Sequence, residues 1–389
     1  MIAIGLIFSL AAACLAVYII WPKFQKSETT LSPSPLLSTQ PTDSELKNEI
    51  FIATNKDGVL SILIFDPNKN MAVTSKEIPL EDSLSTYSSN GAWGANNAVQ
   101  YNPKTQEIFF STGGQAAYDG SCINKDGTCV SRLYKIGLEQ TKPIIIFESN
   151  SMPVNWVVNS FDNSLLLSFL DGKTQTIKKI NTQDGKVVFS KEYLTKPQMG
   201  LTDFVLSIDG KFTYQASKES VDGKWFYEIL RLRKINNANG DISEQEIFGG
   251  EAVEYETNLS PDNNYFAFYS GARNLSKLYI YEISTQKLTN VPYQGSIGNN
   301  NLLWSGDSKK LLYLLKNSLT YYDIPTSKST LVIGDTQQTT YVYAWAASTN
   351  YFAYQSQNGG VKIFDVKNSR VIDTQIKTSV SEVNGVSWY

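Results

Sequence analysis

The sequence of 389 residues contains no histidine. Catalysis by Ser-His-Asp or Cys-His groups, a histidine general base and histidine-ligated zinc are therefore excluded. Carboxylates survive as a catalytic option, because a glycosidase needs only two acids. Asp203 and Glu256 occupy equivalent positions in two copies of a repeat and form the candidate pair. Acids that are only solvated or hydrogen-bonded would give the same pattern.

Charge is also scarce. Charged residues make up 18% of the chain, the net charge is −3, and no basic cluster occurs, so no nucleic-acid partner is expected. No cofactor and no metal site are predicted. The segment from Asn237 to Glu246 matches parts of a calcium loop, but Ile235 stands where the first carboxylate belongs. A hairpin turn explains the same residues.

Only three cysteines are present. Cys122 and Cys129 are separated by six residues in the segment GSCINKDGTCVS. A loop of this size closes easily with a disulfide in an oxidising compartment, so we predict a Cys122–Cys129 disulfide. Cys14 lies in the apolar N-terminal segment and is left unpaired.

No long segment of helical periodicity follows residue 21, but the first 21 residues are strongly apolar. Ile2 to Trp21 is a stretch of 20 residues without a charge, long enough to cross a bilayer as one helix. We predict a transmembrane anchor at 1–21 and a Ser/Thr/Pro-rich linker at 22–47. A lipoprotein is the alternative, since Ala11 to Cys14 resembles a lipobox, yet the apolar run continues past Cys14.

The signals for membrane orientation conflict. Lys23 and Lys26 follow the apolar segment, and by the positive-inside rule they would leave the following domain in the cytoplasm. The stalk-like linker and the pair Cys122 and Cys129 favour the opposite side. We predict a single-pass cell-membrane protein whose large domain is extracytoplasmic.

Residues 48–389 carry a repeat of aromatic and alternating apolar runs separated by turn residues, which is typical of an all-β fold. The best copy runs from Asn258 to Thr285 and contains the quartet Leu259-Ser260-Pro261-Asp262. Its fourth position recurs every 41 to 58 residues, close to the roughly 40 to 50 of a four-stranded propeller blade. The other quartets are Tyr101–Lys104, Asn159–Asp162, Leu206–Asp209, Trp304–Asp307 and Trp345–Ser348.

The two ends of this region complete the count. Glu49 to Asp66 has the pattern of the second and third strands of a blade, whereas Val383 to Tyr389 has that of a first strand. Trp388 falls in the same repeat position as Leu259. We therefore predict a seven-bladed β-propeller closed by pairing of its N- and C-terminal strands, preceded by one transmembrane helix.

The run Ser-Pro-Asp-Asn-x-x-Phe-Ala-Phe at Ser260 to Phe268 resembles the TolB-type, WD-repeat-like propeller repeat, and weaker copies extend the resemblance over about residues 48–389. Several copies lose the proline or the aspartate, and nothing here resembles the separate N-terminal domain of TolB. The resemblance implies a propeller fold and a location outside the cytoplasm. It implies no active-site residues, because the motif is structural.

Two repeat positions yield expectations about packing and binding. Trp304, Trp345 and Trp388 share the position of Leu259 and are predicted to pack between adjacent blades. The position four residues before Leu259 should line one mouth of the central channel, where its side chains would bond loop backbone or form a polar ligand or ion site. Its occupants are Asn97, Asn155, Thr202, Tyr255, Asn300, Tyr341 and Asn384.

The longest loops, 83–97 and 113–130, should emerge on that same face. Aromatic rings beside amides and a carboxylate suit a sugar or an extended polar peptide, although the rings would also serve to pin a long loop onto the blades. The predicted ligand-binding residues are Tyr87, Trp93, Asn96, Asn97, Tyr118, Asp119, Asn155 and Asn300.

The expected function is a membrane-anchored extracytoplasmic propeller that binds or scaffolds an envelope protein or a glycan without catalysis. The alternative is a glycan-processing enzyme that uses carboxylates, or a carboxylate-bound metal, at the channel mouth. A pocket with two facing acids would favour the enzyme, and a broad aromatic rim would favour the binder.

Overall fold

The computed structural model describes residues 49–388 except 81–98, 114–129, 151–154, 172–173, 195–198, 202–203, 208, 222–226, 252, 272–275, 296–301, 316–317, 334–338, 347–349, 357–358 and 379–382. These residues form strands and turns without any helix, and so none that is long and apolar enough to cross a membrane. The predicted anchor at 1–21 and linker at 22–47 lie outside the described residues.

The strands form seven antiparallel sheets, which are the blades of a propeller. We number the blades along the chain and give the strands of each from the inner to the outer edge. The first three blades contain, in blade 1, β29 (Val383–Trp388), β1 (Ile50–Lys56), β2 (Val59–Asp66) and β3 (Met71–Pro79); in blade 2, β4 (Val99–Asn102), β5 (Glu107–Gly113), β6 (Ser131–Gly137) and β7 (Ile144–Ser149); in blade 3, β8 (Asn155–Asn159), β9 (Ser164–Asp171), β10 (Thr174–Asn181) and β11 (Val187–Leu194).

In blade 4 two short strands, β12 and β13, share the inner position. The remaining blades contain, in blade 4, β12 (Met199–Leu201), β13 (Val205–Leu206), β14 (Phe212–Ser220), β15 (Tyr227–Asn236) and β16 (Ile242–Glu251); in blade 5, β17 (Val253–Leu259), β18 (Tyr265–Ser270), β19 (Ser276–Glu282) and β20 (Lys287–Gly295); in blade 6, β21 (Leu303–Trp304), β22 (Lys310–Leu315), β23 (Ser318–Asp323) and β24 (Lys328–Ile333); in blade 7, β25 (Thr339–Trp345), β26 (Tyr351–Ser356), β27 (Val361–Asp365) and β28 (Arg370–Asp373).

Burial follows the radial position of each strand. The second strand is covered on both faces, as in β26, where all six residues are buried. The fourth strand borders solvent, as in β24, where the first four residues are exposed. This gradient explains why the second strands stand out in the sequence as aromatic runs, because both faces of each must be apolar.

The ring closes as predicted. β29 pairs antiparallel with β1, placing Ile50 opposite Trp388 and Ile52 opposite Val386. Along the inner ring β29 contacts both β25 of blade 7 and β4 of blade 2. The C-terminal strand therefore supplies the inner strand of blade 1, and the seven-bladed prediction is confirmed.

The repeated Ser-x-Asp quartet is a turn-forming device. The Ser260 hydroxyl donates to Asp262 Oδ1 at 2.6 Å and accepts from the backbone N–H of Tyr265 at 2.9 Å. Asp262 Oδ1 also accepts from the N–H of Asn264. The turns from Ser207 and from Ser305 repeat this network in blades 4 and 6. The motif is thus structural, as its resemblance implied.

Each interface between adjacent blades holds one cluster of buried apolar side chains. The cluster between blades 7 and 1 contains twelve buried residues. Trp304, Trp345 and Trp388 pack at the 5/6, 6/7 and 7/1 interfaces, which confirms their predicted role.

The 3/4 interface is different, since its apolar cluster has only four buried residues. A polar network lies beside it. Arg233, which is 2% exposed, donates to the side-chain carbonyls of Gln175 and Gln215, and its Nε lies 2.8 Å from Glu244 Oε1. Gln175 in turn donates to the Ser168 hydroxyl at 2.7 Å. Polar side chains joined by hydrogen bonds therefore occupy space that apolar side chains occupy at the other interfaces.

Candidate functional site

Asn155 is the one predicted ligand-binding residue that the structure describes. It begins β8, is 5% exposed, and lies opposite Ser168 on the face of blade 3 that packs on blade 4. Its place beside the polar network accounts for an amide there, and ligand binding by Asn155 stays a prediction. The predicted residues outside the described range are Tyr87, Trp93, Asn96, Asn97, Tyr118, Asp119 and Asn300, together with Cys122, Cys129 and Asp203.

Several acids of the described part are engaged in turns. Asp365 is 1% exposed, accepts from the backbone N–H and side chain of Asn368, and lies 3.0 Å from Arg370 Nε. Burial, the largest influence, raises its pKa, but these hydrogen bonds outweigh it, and the pKa lies below its usual value. The pKa values of Asp209 and Asp66 are also lowered, because hydrogen bonds again outweigh the effect of burial. Among the described residues no three acids or cysteines cluster as a metal site would require.

An open cleft of about 140 Å³ lies between blades 5 and 6. Two cross-strand rows of blade 5 form one wall. The first row is Tyr265, Glu282 and Lys287, and the second is Ala267, Ile280 and Thr289. Blade 6 forms the other wall with Tyr322, Ile324 and Ser327, at the end of β23 and in the turn that follows it. We call this place the 5/6 corner.

The aromatic wall of the 5/6 corner is held rigidly. Tyr265 stacks on Trp304 with ring centroids 5.8 Å apart and an interplanar angle of 24°. The indole Nε1 of Trp304 donates to the backbone carbonyl of Asn258 at 3.2 Å, which ties blade 6 to the inner strand of blade 5. A ring fixed in this way loses little conformational entropy when a ligand binds.

The interface between blades 7 and 1 repeats this architecture. Tyr351 stacks on Trp388 at 6.0 Å, and Trp388 Nε1 donates to the carbonyl of Ala344 at 3.1 Å. The two rows of blade 7 are Tyr351–Asp365–Arg370 and Ala353–Ile363–Ile372. They match the rows of blade 5 in type at every position except the last, where Thr289 replaces an isoleucine. We call this place the 7/1 corner.

The 7/1 corner is closed by three features. The Tyr351 hydroxyl donates to Asn68 Oδ1 in the blade 1 turn at 2.8 Å. Asp365 pairs with Arg370, and Ile372 is buried against the cluster. At the 5/6 corner Pro325 occupies the turn position of Asn68, two residues after the strand-ending aspartate in both turns. Proline offers no polar side chain, so the described turn 324–327 of blade 6 has no amide equivalent to that of Asn68.

The polar groups of the 5/6 corner consequently have spare hydrogen-bonding capacity. Glu282 accepts one bond, from the Thr285 hydroxyl at 2.7 Å. Within the described part of the chain, the Tyr265 hydroxyl and Lys287 have no hydrogen-bond or ion-pair partner. Burial raises the pKa of Tyr265, and the charges of Glu282 and Asp262 raise it further, so its hydroxyl stays protonated and able to donate at neutral pH.

Sequence reasoning missed this corner. Its residues are ordinary for the strands that carry them, and no motif marks them. Alignment of blade 5 with blade 7 would have shown threonine in place of Ile372, and alignment of blade 6 with blade 1 would have shown proline in place of Asn68.

Comparison with known proteins identifies the fold alone. No protein family and no curated protein sequence matches the chain. Solved structures match over most of it. The periplasmic gluconolactonase PpgL of Pseudomonas aeruginosa has a TM-score of 0.55 and 12% identity over 88% of this chain and 98% of its own. A puromycin-hydrolyzing peptidase of Mycobacterium tuberculosis has a TM-score of 0.54 and 11% identity, over 86% of this chain and 54% of its own.

Two further solved structures are similar to the chain. TolB of Acinetobacter baumannii is among the similar structures, with a TM-score of 0.45 and 11% identity over 88% of this chain, which spans 66% of TolB. The propeller domain of the trilobed protease of Pyrococcus furiosus, with a TM-score of 0.52, 11% identity and coverage of 86% and 100%, has an open velcro topology. The present ring is closed by β29 instead. Propellers similar to this chain thus include enzymes, so the fold alone does not decide its activity.

Proposed function

We propose that this protein is a membrane-anchored, extracytoplasmic propeller that binds an envelope component without transforming it, and that the 5/6 corner is a binding site. The observation that carries the proposal is the open cleft of about 140 Å³, whereas the equivalent residues Tyr351, Asp365 and Ile372 of the 7/1 corner are buried. A preformed concave site with a few unpaired polar groups is the usual form of a small-ligand site.

The chemistry of the corner favours binding over catalysis. Its single acid, Glu282, faces the cleft beside Tyr265 and Lys287, whereas the carboxylate mechanism of glycoside hydrolysis uses two acids flanking one bond. Ile280 and Tyr322 are buried and give the cleft an apolar floor. These features suit retention of a ligand by contact and hydrogen bonding.

A binding screen with a cleft-filling variant tests the site. All described strands lie within the compact unit 46–389, which is the natural soluble domain for a screen against glycans and envelope proteins. Thr289→Ile installs the residue of blade 7 and should abolish binding of the partner found. Thr330→Ile is the matched control, because Thr330 lies on the outer strand of blade 6 opposite Tyr321, on the face toward blade 7.

Each outcome of the screen discriminates. A partner lost with Thr289→Ile and kept with Thr330→Ile supports the corner. A partner that tolerates Thr289→Ile but is lost on replacement of Trp93 and Tyr118 by Ala moves the site to the long loops. If neither panel yields a partner, the binding function itself is contradicted.

Labelling of thiols in protein taken directly from cells tests the location. In an extracytoplasmic domain Cys122 and Cys129 should be oxidised and unreactive until a reductant is added. Two reactive thiols in this loop would indicate a reduced pair and a cytoplasmic domain, as Lys23 and Lys26 would favour.

A further inference from the structure

The size of the 5/6 corner limits what it can hold. Its volume is about 140 Å³. A cavity of about 150 Å³ accepts a benzene-sized molecule. Because the cleft is open, this volume limits the part of a ligand that it encloses to about one six-membered ring, whose substituents would extend into solvent.

The lining combines a largely apolar floor with a polar rim. Ile280 and Tyr322 are buried beneath the cleft, and the Tyr265 ring stands at its side in the stack with Trp304. Glu282, Lys287, Thr289 and Ser327 surround the opening with a carboxylate, an ammonium group and two hydroxyls. A ligand must therefore offer an apolar surface and, around its edge, both donors and acceptors.

The charges disfavour a ligand that carries a single charge. Glu282 and Lys287 lie opposite each other in the register of β19 and β20, so the rim carries one negative and one positive group. An anion or a cation would meet one partner and one like charge. A purely aromatic ring would cover the partly buried Tyr265 and Glu282 without offering their polar groups a partner, which is unfavourable.

A hydroxylated saturated ring meets all these demands. We propose that the 5/6 corner binds a single neutral pyranose residue, with its apolar C–H face toward Tyr265 and Ile280 and its hydroxyls toward Glu282, Lys287 and Thr289. This inference rests on the proposed binding function and narrows it to a sugar. The Tyr265 hydroxyl donates to a sugar oxygen. This oxygen takes the place of Asn68 Oδ1, which accepts from the Tyr351 hydroxyl at the 7/1 corner.

The test uses the full chain in a detergent without a sugar headgroup. Saturation-transfer difference NMR is recorded with methyl glucopyranoside, methyl galactopyranoside and N-acetylglucosamine, and with phenol as a ring that lacks the polyhydroxyl edge. We expect at least one pyranose to bind and phenol to bind more weakly. Thr289→Ile should weaken the affinity for the sugar by about tenfold or more, while Thr330→Ile should leave that affinity unchanged.

Folding of the variants is checked by thermal melting, and Tyr265→Phe provides a second probe that keeps the ring and removes only the hydroxyl. Binding of phenol with none of the sugars, displaced by Thr289→Ile, would overturn the sugar assignment while leaving a binding cleft in place. Sugar binding that is indifferent to both Thr289→Ile and Tyr265→Phe would overturn the assignment to this corner. Failure of all four probes to bind would overturn the inference, and the partner screen then decides the proposed function separately.

Discussion

The 5/6 and 7/1 interfaces are built from the same parts, yet one is open and the other closed. Each has a Tyr on a Trp, an indole bonded to the carbonyl of the preceding blade, and matching cross-strand rows. They differ at the last position of one row and in the facing turn. The 5/6 corner has Thr289 where the 7/1 corner has Ile372, and Pro325 where the 7/1 corner has Asn68.

The difference separates the roles of repeated and unrepeated residues. The repeated aromatic and turn residues make blades stack, because no four-stranded sheet can bury both of its faces alone. The unrepeated residues decide whether the space between two outer edges is filled. At the 5/6 corner small and polar replacements leave room, and a rigid aromatic wall remains beside it. Function in such a ring is therefore to be sought where one copy of the repeat departs from its best counterpart.

The largest expected effect breaks the 7/1 interface and leaves the 5/6 interface intact. Deletion of residues 383–389 removes β29, exposes the edge of β1 and empties the Trp388 site. Loss of the half-buried Trp388 should cost less than the roughly 3–5 kcal/mol of a fully buried Trp, but the whole inner strand is lost with it, against a total stability of about 5–15 kcal/mol. The truncated domain should aggregate or melt without cooperativity, as measured by circular dichroism and size-exclusion chromatography. Removal of Tyr389 alone is the control, and cooperative melting of the longer deletion at the same temperature as the parent would show that the ring does not depend on β29.

The next effect compares the two tryptophans directly. Trp304→Ala should lower the free energy of unfolding by about 3–5 kcal/mol, since the indole is buried and hydrogen-bonded. Trp388→Ala should lower it by less, because that side chain is half-buried. The two losses should add in the double variant, as the sites share no partner. Denaturant unfolding of the three variants measures this, and a larger loss for Trp388 would reverse the ranking by burial.

Much of this ring could be predicted from the sequence. Residues Leu259 to Phe268 contain the turn and the aromatic strand that identify a blade, because both depend on local hydrogen bonds and on alternation. The closing strand followed from Trp388, which shares a repeat position with Trp304. These features are repeated, and repetition makes a weak local signal readable.

The polar network at the 3/4 interface and the cleft at the 5/6 corner could not be predicted. Arg233, Gln175 and Gln215 read as ordinary strand residues, and only the register of β10, β14 and β15 brings them together. The cleft at the 5/6 corner likewise depends on which residues of blade 6 lie opposite Thr289 of blade 5. Contacts between blades are fixed by the stacking geometry, which no single stretch of sequence contains.

A smaller effect concerns acid sensitivity, which should differ between the corners. The pKa of Asp365 in the folded state lies below its unfolded value of about 3.9, so its stabilisation is present above that value and is lost as the pH falls through the folded-state pKa. Asp365→Asn should destabilise by about 2 kcal/mol at pH 7 and by progressively less below about pH 4. Glu282→Gln is the matched change at the 5/6 corner and should have little effect, since Glu282 accepts only from Thr285. Thermal melting between pH 7 and pH 3 measures the difference, and a constant gap between Asp365→Asn and the parent would contradict it.

The smallest effect isolates one hydroxyl at each corner. Tyr351→Phe removes the bond to Asn68 and should destabilise by about 1 kcal/mol. Tyr265→Phe should change stability by less than about 0.5 kcal/mol, because its hydroxyl has no partner among the described residues. Pro325→Asn would place an amide where Asn68 stands in blade 1. If the turn alone decides closure, Tyr265→Phe becomes destabilising by about 1 kcal/mol in the Pro325→Asn background, and a double-mutant cycle cancels the separate effect of losing the proline. A coupling energy of zero would show instead that Thr289, and not the turn, keeps the 5/6 corner open.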